Sequence, residues 1–235
     1  MRYQRIADAN FTMVIGGYGA NTREKVLRQI ALCEQHGLKA VIATCDWPVA
    51  ELHDAPAVWG YKVRDEPHAD EFPALAEKVA AIRAAHPDKL AYINLFPSVA
   101  SPERLGNRHY REHVETFAEV VRPGVISFDH YPTMKPGEDG RPRYLYSLEV
   151  VREVALEHGV PFWNFFNTMP FGPHTDPTEA QIRWQIYTSL AYGAKGILYF
   201  CYYTPRGGEF PKGGALSTRD DRRTRPQRHL DGGGL

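Results

Sequence analysis

Residues 57–67 read AVWGYKVRDEP, a run of apolar and aromatic residues that passes directly into two carboxylates and a proline. The first seven of these residues have the composition of a buried β-strand. A buried strand that runs into Asp65 and Glu66 must end at solvent or at a cleft, because an unpaired charge is too costly to bury. Pro67 then forces the chain to turn. This stretch therefore predicts a strand whose carboxyl end opens at a cleft.

The same pattern of a short apolar run followed by an amphipathic stretch recurs along the whole chain. The predicted strands are 11–15, 38–44, 58–63, 90–96, 125–128, 161–166 and 197–203. The predicted helices are 21–36, 48–52, 69–85, 104–121, 144–158 and 178–192. Strands that alternate with helices in this way indicate parallel βαβ units, and therefore an α/β fold.

The residues at the predicted strand ends favour a (β/α)8 TIM-type barrel over an open sheet. In both architectures the functional groups lie at the carboxyl ends of the strands. Here a ring of polar and aromatic residues occupies those ends, which suits a closed barrel. These residues are Asp46, Trp47, Asp65, Glu66, Asn94, Asp129, His130, Tyr131, Asn164, Asn167, Tyr202 and Tyr203.

The two ends of the chain predict that the barrel is incomplete. Residues 2–9 resemble the end of a helix that precedes the first strand, so a further strand is expected upstream. Residues 217–235 are rich in Arg and Gly and nearly devoid of apolar side chains, so they cannot form a covering helix. We expect a catalytic barrel domain over 1–216 without its first strand and final helix, followed by a disordered tail over 217–235.

Composition excludes several classes of partner. The 235 residues carry a formal net charge of zero, so no basic surface is expected to bind nucleic acid. No run of 18 apolar residues suggests a membrane span. The N-terminus lacks the apolar core of a signal peptide, which predicts a cytoplasmic protein as written, and a secreted or periplasmic one if a leader precedes it. The sequence favours no particular oligomeric state.

Glu66 is the first candidate for chemistry. A carboxyl group held at an apolar, aromatic strand end has a raised pKa, because desolvation disfavours its charged form. A general acid near neutral pH requires this property. The structural alternative is that Asp65 and Glu66 only stabilise the N-terminus of the helix over 69–85.

Four stretches carry a resemblance to a known family, namely 61–67 (YKVRDEP), 91–97 (AYINLFP), 127–132 (SFDHYP) and 188–196 (TSLAYGAKG). The first resembles the Asn-Glu-Pro motif that ends the fourth barrel strand of clan A glycoside hydrolases, whose glutamate is the acid/base. The chain is similar to bacterial proteins related to the family 42 β-galactosidases. The resemblance implies a carbohydrate substrate, no cofactor and Glu66 as the acid/base.

The sequence departs from the clan pattern in two places. Asp65 stands where the clan has an asparagine that binds a sugar hydroxyl. The clan nucleophile is a glutamate at the end of strand seven, but residues 161–167 read PFWNFFN and contain no carboxylate. The clan's retaining mechanism is therefore not expected to carry over unchanged.

Asp129 is the best second carboxylate, because it ends the predicted strand 125–128. Glycoside cleavage uses two carboxyl groups, about 5 Å apart for retention and about 6.5–9.5 Å apart for inversion. We predict that Glu66 protonates the leaving oxygen and that Asp129 acts as base or nucleophile. The alternative for Asp129 is a turn or a substrate-binding role.

Further strand-end residues could bind the sugar. Aromatic rings can stack on sugar faces, and amides offer both a donor and an acceptor to hydroxyl groups. Each of them could equally belong to the core or to a turn. The candidates are Asp65, Asn94, His130, Tyr131, Trp163, Asn164, Tyr202 and Trp47.

Two other functions compete with a hydrolase. A metal-dependent sugar isomerase or epimerase on a similar barrel would use Glu66, Asp129 and His130 as ligands, a set suited to Mn or Mg. A non-catalytic, glycan-binding barrel fragment would leave its edge strands exposed to pairing with other chains.

Overall fold

A computed structural model of the protein describes residues 2–16, 19–202 and 210. The strands are β1 (Met13–Ile15), β2 (Lys39–Ala43), β3 (Val58–Asp65), β4 (Leu90–Leu95), β5 (Ile126–Asp129), β6 (Phe162–Asn167) and β7 (Gly196–Phe200). The helices are α1 (Arg2–Asp8), α2 (Arg23–Gln35), α3 (Phe72–Ala85), α4 (Pro102–Leu105), α5 (Tyr110–Val121), α6 (Arg141–Glu157) and α7 (Glu179–Ala191), with single 3₁₀ turns at Val49–Glu51 and Ala69–Glu71.

All seven strands belong to one sheet, in which each strand pairs in parallel with the next along the chain. The sheet is curled, with helices on its outer side, so the fold is an incomplete (β/α)8 barrel. This confirms the predicted fold class. The predicted tail over 217–235 and the strand-end residue Tyr203 lie outside the described residues.

Alternation along the strands separates an outer core from an inner one. The outer core lies between the sheet and its helices and contains most of the buried apolar residues, among them Tyr61, Phe117 and Phe128. The inner cluster is smaller. It consists of Val41, Tyr92 and Val125, with Met13, Ile15, Leu90, Trp163 and Phe165 packed against them. The inner cluster forms the floor beneath the carboxyl ends of the strands.

A register shift in β3 decides which of its residues face inward. Lys62 pairs with Tyr92, but Arg64 pairs with Ile93 and Asp65 with Asn94, so Val63 is an extra residue. Such a bulge changes the alternation of the strand by one position. Lys62 and Asp65 therefore share the inner face, although they lie three positions apart in sequence.

The predicted helix over 104–121 is wrong, because the structure divides this stretch into α4 and α5. Gly106 ends α4 in the left-handed conformation, with φ 72°, which glycine adopts at little cost. The short helix α4 therefore belongs to the loop that follows β4, and it carries Arg104 toward the carboxyl ends of the strands.

The first and last strands of the described sheet meet through aromatic rings. Phe11, two residues before β1, lies edge-on to Tyr199 of β7 and to Tyr202, at ring-centroid distances of 4.9 and 5.3 Å. Within the described residues, no ladder of backbone hydrogen bonds joins these two strands. None of the described helices has the length and apolar character needed to cross a membrane.

Gly60 offers a test of the close packing of β3 on β4. A Cβ atom at this position would lie 2.3 Å from the carbonyl oxygen of Leu90, which is backbone and cannot rotate away. We expect Gly60→Ala to lower the free energy of unfolding by roughly 2–3 kcal/mol, measured by urea denaturation.

Gly124→Ala is the matched control, because the nearest atom to its added Cβ is the end of a flexible side chain, Leu90 Cδ1, at 3.2 Å. We expect it to have a smaller effect. Equal losses in the two variants would contradict the described register of β3 and β4.

Candidate active site

A chain of buried hydrogen bonds fixes the floor of the site. The Tyr92 hydroxyl and Ser127 Oγ lie 2.8 Å apart, and Ser127 donates to Asn94 Oδ1 at 3.1 Å. With its oxygen thus occupied, the Asn94 amide directs Nδ2 at Asp129, and Nδ2 donates to Asp129 Oδ1 at 2.7 Å. The inner faces of β4 and β5 therefore hold the Asp129 carboxyl group in one orientation.

Asp129 lies out of water among other acidic groups, with only 8% of its surface exposed. Burial, followed by the charge of Glu66 and then that of Asp65, raises its pKa to about 7, against the opposing effect of hydrogen bonds with Asn94 and Tyr131. The protonated and ionised forms of Asp129 are therefore both accessible near neutral pH.

Glu66 follows β3 with its backbone in the left-handed region, at φ 47°. Its backbone N–H donates to the Asn94 carbonyl oxygen at 2.8 Å, and its Oε2 accepts from an Arg104 guanidinium nitrogen at 3.1 Å. About a third of its side chain is exposed. Burial raises the pKa of Glu66, the charge of Arg104 opposes this shift, and the charge of Asp65 adds to it.

Arg104 is a site residue that the sequence did not reveal. Its guanidinium group lies over the Phe96 ring at 4.6 Å, a contact that favours the cation. Because the whole segment was predicted as one long helix, nothing indicated that this arginine reaches the end of β3. Gly106 is the sequence signal that the helix could be interrupted in this segment.

Lys62 is the second site residue that was missed. Its Nζ lies 3.0 Å from Asp65 Oδ2, and 21% of its side chain is exposed. Simple alternation from Asp65 places Lys62 on the opposite face of the strand, and only the bulge brings the two side chains together.

Aromatic rings cover the side of the site next to β7. Tyr131, which hydrogen-bonds to Asp129, lies 5.1 Å from Phe171, 5.6 Å from His174 and 5.3 Å from Phe200 between ring centroids. These contacts place Tyr131 within an aromatic cluster, and burial raises the pKa of its hydroxyl group.

Two predicted sugar contacts must be corrected. His130 is buried against α6, where its Nδ1 lies 2.8 Å from Ser147 Oγ, and burial lowers its pKa to about 3. Asn164 is buried between the sheet and the helices, and its Nδ2 donates to the Tyr144 hydroxyl at 2.8 Å and to Ser189 at 3.0 Å. His130 follows the inward-facing Asp129, and Asn164 lies between the inward-facing Trp163 and Phe165. Because side chains alternate along a strand, both His130 and Asn164 face away from the barrel interior.

The other predicted residues divide into two groups. The structure brings Asp65, Glu66, Asn94, Asp129 and Tyr131 together at the carboxyl ends of β3, β4 and β5. The remaining aromatic residues lie outside this cluster. Trp163 packs on the inner floor, with its ring 6.0 Å from that of Tyr92; Tyr202 contacts Phe11; and Trp47 lies beneath the Arg23 guanidinium.

The end of β6 carries an amide in place of a carboxylate. Asn167 Nδ2 donates to Thr133 Oγ1, and the Asn167 carbonyl oxygen of the backbone accepts from Gln185. The buried carboxyl group of the cluster is Asp129, at the end of β5. Within the described ranges, no group of three or more His, Cys, Asp or Glu residues could hold a metal ion.

Comparison with known proteins gives information on the fold alone. No family model matches the chain, and no curated protein matches its sequence. An endoglucanase superposes with a TM-score of 0.59 at 12% identity, over 93% of this chain and 84% of that protein. A hyperthermophilic endo-β-1,4-glucanase gives 0.57 at 11% identity, over 97% and 86%.

Other proteins of similar structure include β-1,4-mannanases. A citrate synthase also superposes, with a TM-score of 0.50 at 14% identity, over 84% of this chain and 80% of that protein. The same barrel thus supports more than one reaction, so the function must be argued from the site itself.

The burial of Asp129 has a measurable consequence for stability. Its pKa is raised from 3.8 in the unfolded chain to about 7, so between about pH 4 and 7 the folded protein holds a proton that the unfolded chain releases. Stability from this group is present at low pH and is lost as pH rises through 7. The free energy of unfolding of Asp129→Asn, relative to that of wild type, should therefore increase as pH rises from 4 to 8, by on the order of a few kcal/mol.

The measurement is urea denaturation of both proteins across this pH range. Asp139→Asn serves as the control, because Asp139 is exposed and the hydrogen bond from Arg141 lowers its pKa. For that variant the difference from wild type should stay constant between pH 4 and 8, because Asp139 is ionised in both the folded and the unfolded chain above pH 4. A difference between Asp129→Asn and wild type that does not change with pH would contradict the described burial.

Proposed function

We propose that this protein is a glycoside hydrolase that cleaves an O-glycosidic bond with Glu66 and Asp129 as its catalytic carboxyl groups. The observation that carries the proposal is that Asn94 contacts both residues, accepting from the Glu66 backbone N–H at 2.8 Å and donating to the Asp129 carboxyl group at 2.7 Å. The surroundings of the two carboxyl groups also differ. Hydrolysis of a glycoside needs one protonated and one ionised carboxyl group, and different surroundings separate their pKa values.

The position of the pair in the barrel supports the proposal. Enzymes with this architecture place their catalytic groups at the carboxyl ends of the strands, which is where β3 and β5 end. Several proteins of similar structure are endoglucanases or mannanases. A carbohydrate is therefore the substrate class that best fits both the fold and the carboxyl pair.

The neighbouring polar groups suit the recognition of a sugar. Asp65 and Lys62 together present an acceptor and a donor on the inner face of β3, and hydroxyl groups bind both kinds of partner. Tyr131 and Asn94 hold Asp129 in place. In the reaction, one carboxyl group protonates the leaving oxygen, while the other attacks the anomeric carbon or activates water.

The competing isomerase hypothesis is weakened by the position of His130. That hypothesis needs His130 as a metal ligand next to Glu66 and Asp129, but its Nδ1 is engaged by Ser147 of α6. A non-catalytic glycan-binding protein would bind sugars without turnover, which an activity panel distinguishes directly from a hydrolase.

We expect Glu66→Gln and Asp129→Asn each to lower kcat by about 10²–10⁴-fold, because each removes an acid, a base or a nucleophile while preserving side-chain size. Activity is measured on a panel of 4-nitrophenyl glycosides, and circular dichroism verifies the fold of each variant.

Glu103→Gln is the matched control, because Glu103 is an exposed carboxylate adjacent to Arg104 and outside the site. It should retain wild-type activity. Full activity in Glu66→Gln, or wild-type protein that binds glycans but hydrolyses none of the panel, would overturn the proposal.

A further inference from the structure

We propose that Asp129 holds the catalytic proton, and that Glu66, kept ionised by Arg104, is the nucleophile or base. The inference rests on the proposed function and reverses the roles that the motif at 64–67 predicts. The two carboxyl groups differ in whether a cation contacts them, in their exposure to water, and in where a proton can reside.

Glu66 has the surroundings of an ionised carboxylate. It accepts a hydrogen bond from Arg104 at 3.1 Å, and about a third of its side chain reaches solvent. A cation at this distance stabilises the charged form. Arg104 itself is placed by its stacking on Phe96, so its position does not depend on Glu66 alone.

Asp129 has the surroundings of a neutral carboxyl group. The groups that act on it are the carboxylates of Glu66 and Asp65 and the neutral hydrogen-bonding groups of Asn94 and Tyr131. Within the part of the chain that the structure describes, no cation is among them. With 8% of its surface exposed, Asp129 also has little water to solvate a charge. Removing its proton would place a third negative charge next to two existing ones.

The pairing of charges in the cluster leads to the same assignment. Lys62 pairs with Asp65, and Arg104 pairs with Glu66. These two pairs use the cations that face the site from β3 and α4. When interacting carboxyl groups share a proton, it resides on the group whose ionised form is least stabilised, which here is Asp129.

The hydrogen bond from Asn94 determines which oxygen of Asp129 can act. Asn94 donates to Oδ1, so the proton of the neutral group resides on Oδ2. In the reaction this proton passes to the glycosidic oxygen, which also takes the electron pair of the breaking bond to the anomeric carbon. The Glu66 carboxylate either bonds to that carbon or removes a proton from the water that does so.

A carboxyl titration tests the position of the proton without any substrate. Protein labelled with ¹³C at the side-chain carboxyl groups of Asp and Glu is titrated by NMR, and the Asp129→Asn and Glu66→Gln variants assign the two resonances. We expect Asp129 to titrate near pH 7 and Glu66 at a lower pH. A higher midpoint for Glu66 than for Asp129 would overturn the inference.

Arginine variants probe the cause in the same titration. Arg104→Gln should raise the midpoint of Glu66, because it removes the cation that stabilises the carboxylate. Arg108→Gln is the matched control: Arg108 belongs to the same loop, its side chain is 84% exposed, and it pairs with Glu112. An unchanged Glu66 midpoint in Arg104→Gln would contradict the role of the ion pair.

Leaving-group dependence tests the same assignment in turnover. The probes are the 4-methoxyphenyl and 2,4-dinitrophenyl glycosides of the sugar that wild type hydrolyses fastest, since the dinitrophenolate departs without protonation. Asp129→Asn should lose about 100-fold more activity on the methoxyphenyl glycoside than on the dinitrophenyl glycoside. Glu66→Gln should lose activity equally on both.

The two experiments separate the inference from the proposed function. The opposite pattern of leaving-group dependence would overturn the inference and leave a hydrolase in place. If wild type hydrolyses no glycoside, the proposed function fails, and the carboxyl titration alone decides which residue holds the proton.

Discussion

The hydrogen bond from Asn94 to Asp129 is the interaction on which the site depends. It exists because β4 pairs with β3 on one side and with β5 on the other, so that Asn94 lies beside Asp65 and Ser127 in the register of the sheet. Ser127 fixes the amide, and the amide fixes the carboxyl group. A shift of either ladder by one residue would turn one of these side chains toward the helices, and the cluster of carboxyl groups would be lost.

The bulge in β3 supplies the other half of the arrangement. Without the extra residue at Val63, Lys62 and Asp65 would lie on opposite faces of the sheet, and the inner face would carry the charge of Asp65 without a cation. The bulge therefore sets the charge balance of the site. Bulges are common next to active sites for a related reason, since they redirect a side chain without interrupting the sheet.

The sequence predicted the fold well and the site in part. Apolar runs and intervening amphipathic stretches were sufficient for seven parallel strands, and the end of β3 was correctly predicted to lie at the mouth of a barrel. The orientation of His130 and Asn164 could not be predicted, because it depends on the register of each strand and a change of one residue reverses it. Arg104 was missed because its position depends on tertiary contact with Phe96, which no local pattern encodes.

The two departures from the clan A pattern that the sequence resembles fit together under the proposed function. An aspartate in place of asparagine at position 65 adds a negative charge, which Lys62 balances within β3. The amide of Asn167 at the end of β6 lacks the charge of the clan glutamate, and under the proposed function the second carboxyl group is Asp129 at the end of β5. Asp129 is buried beside Asn94 and Tyr131, and among the described residues no cation acts on it. A buried carboxyl group in that position is more stable with its proton than without it. The residues that depart from the clan motif are therefore the ones that would move the acid from the end of β3 to the end of β5.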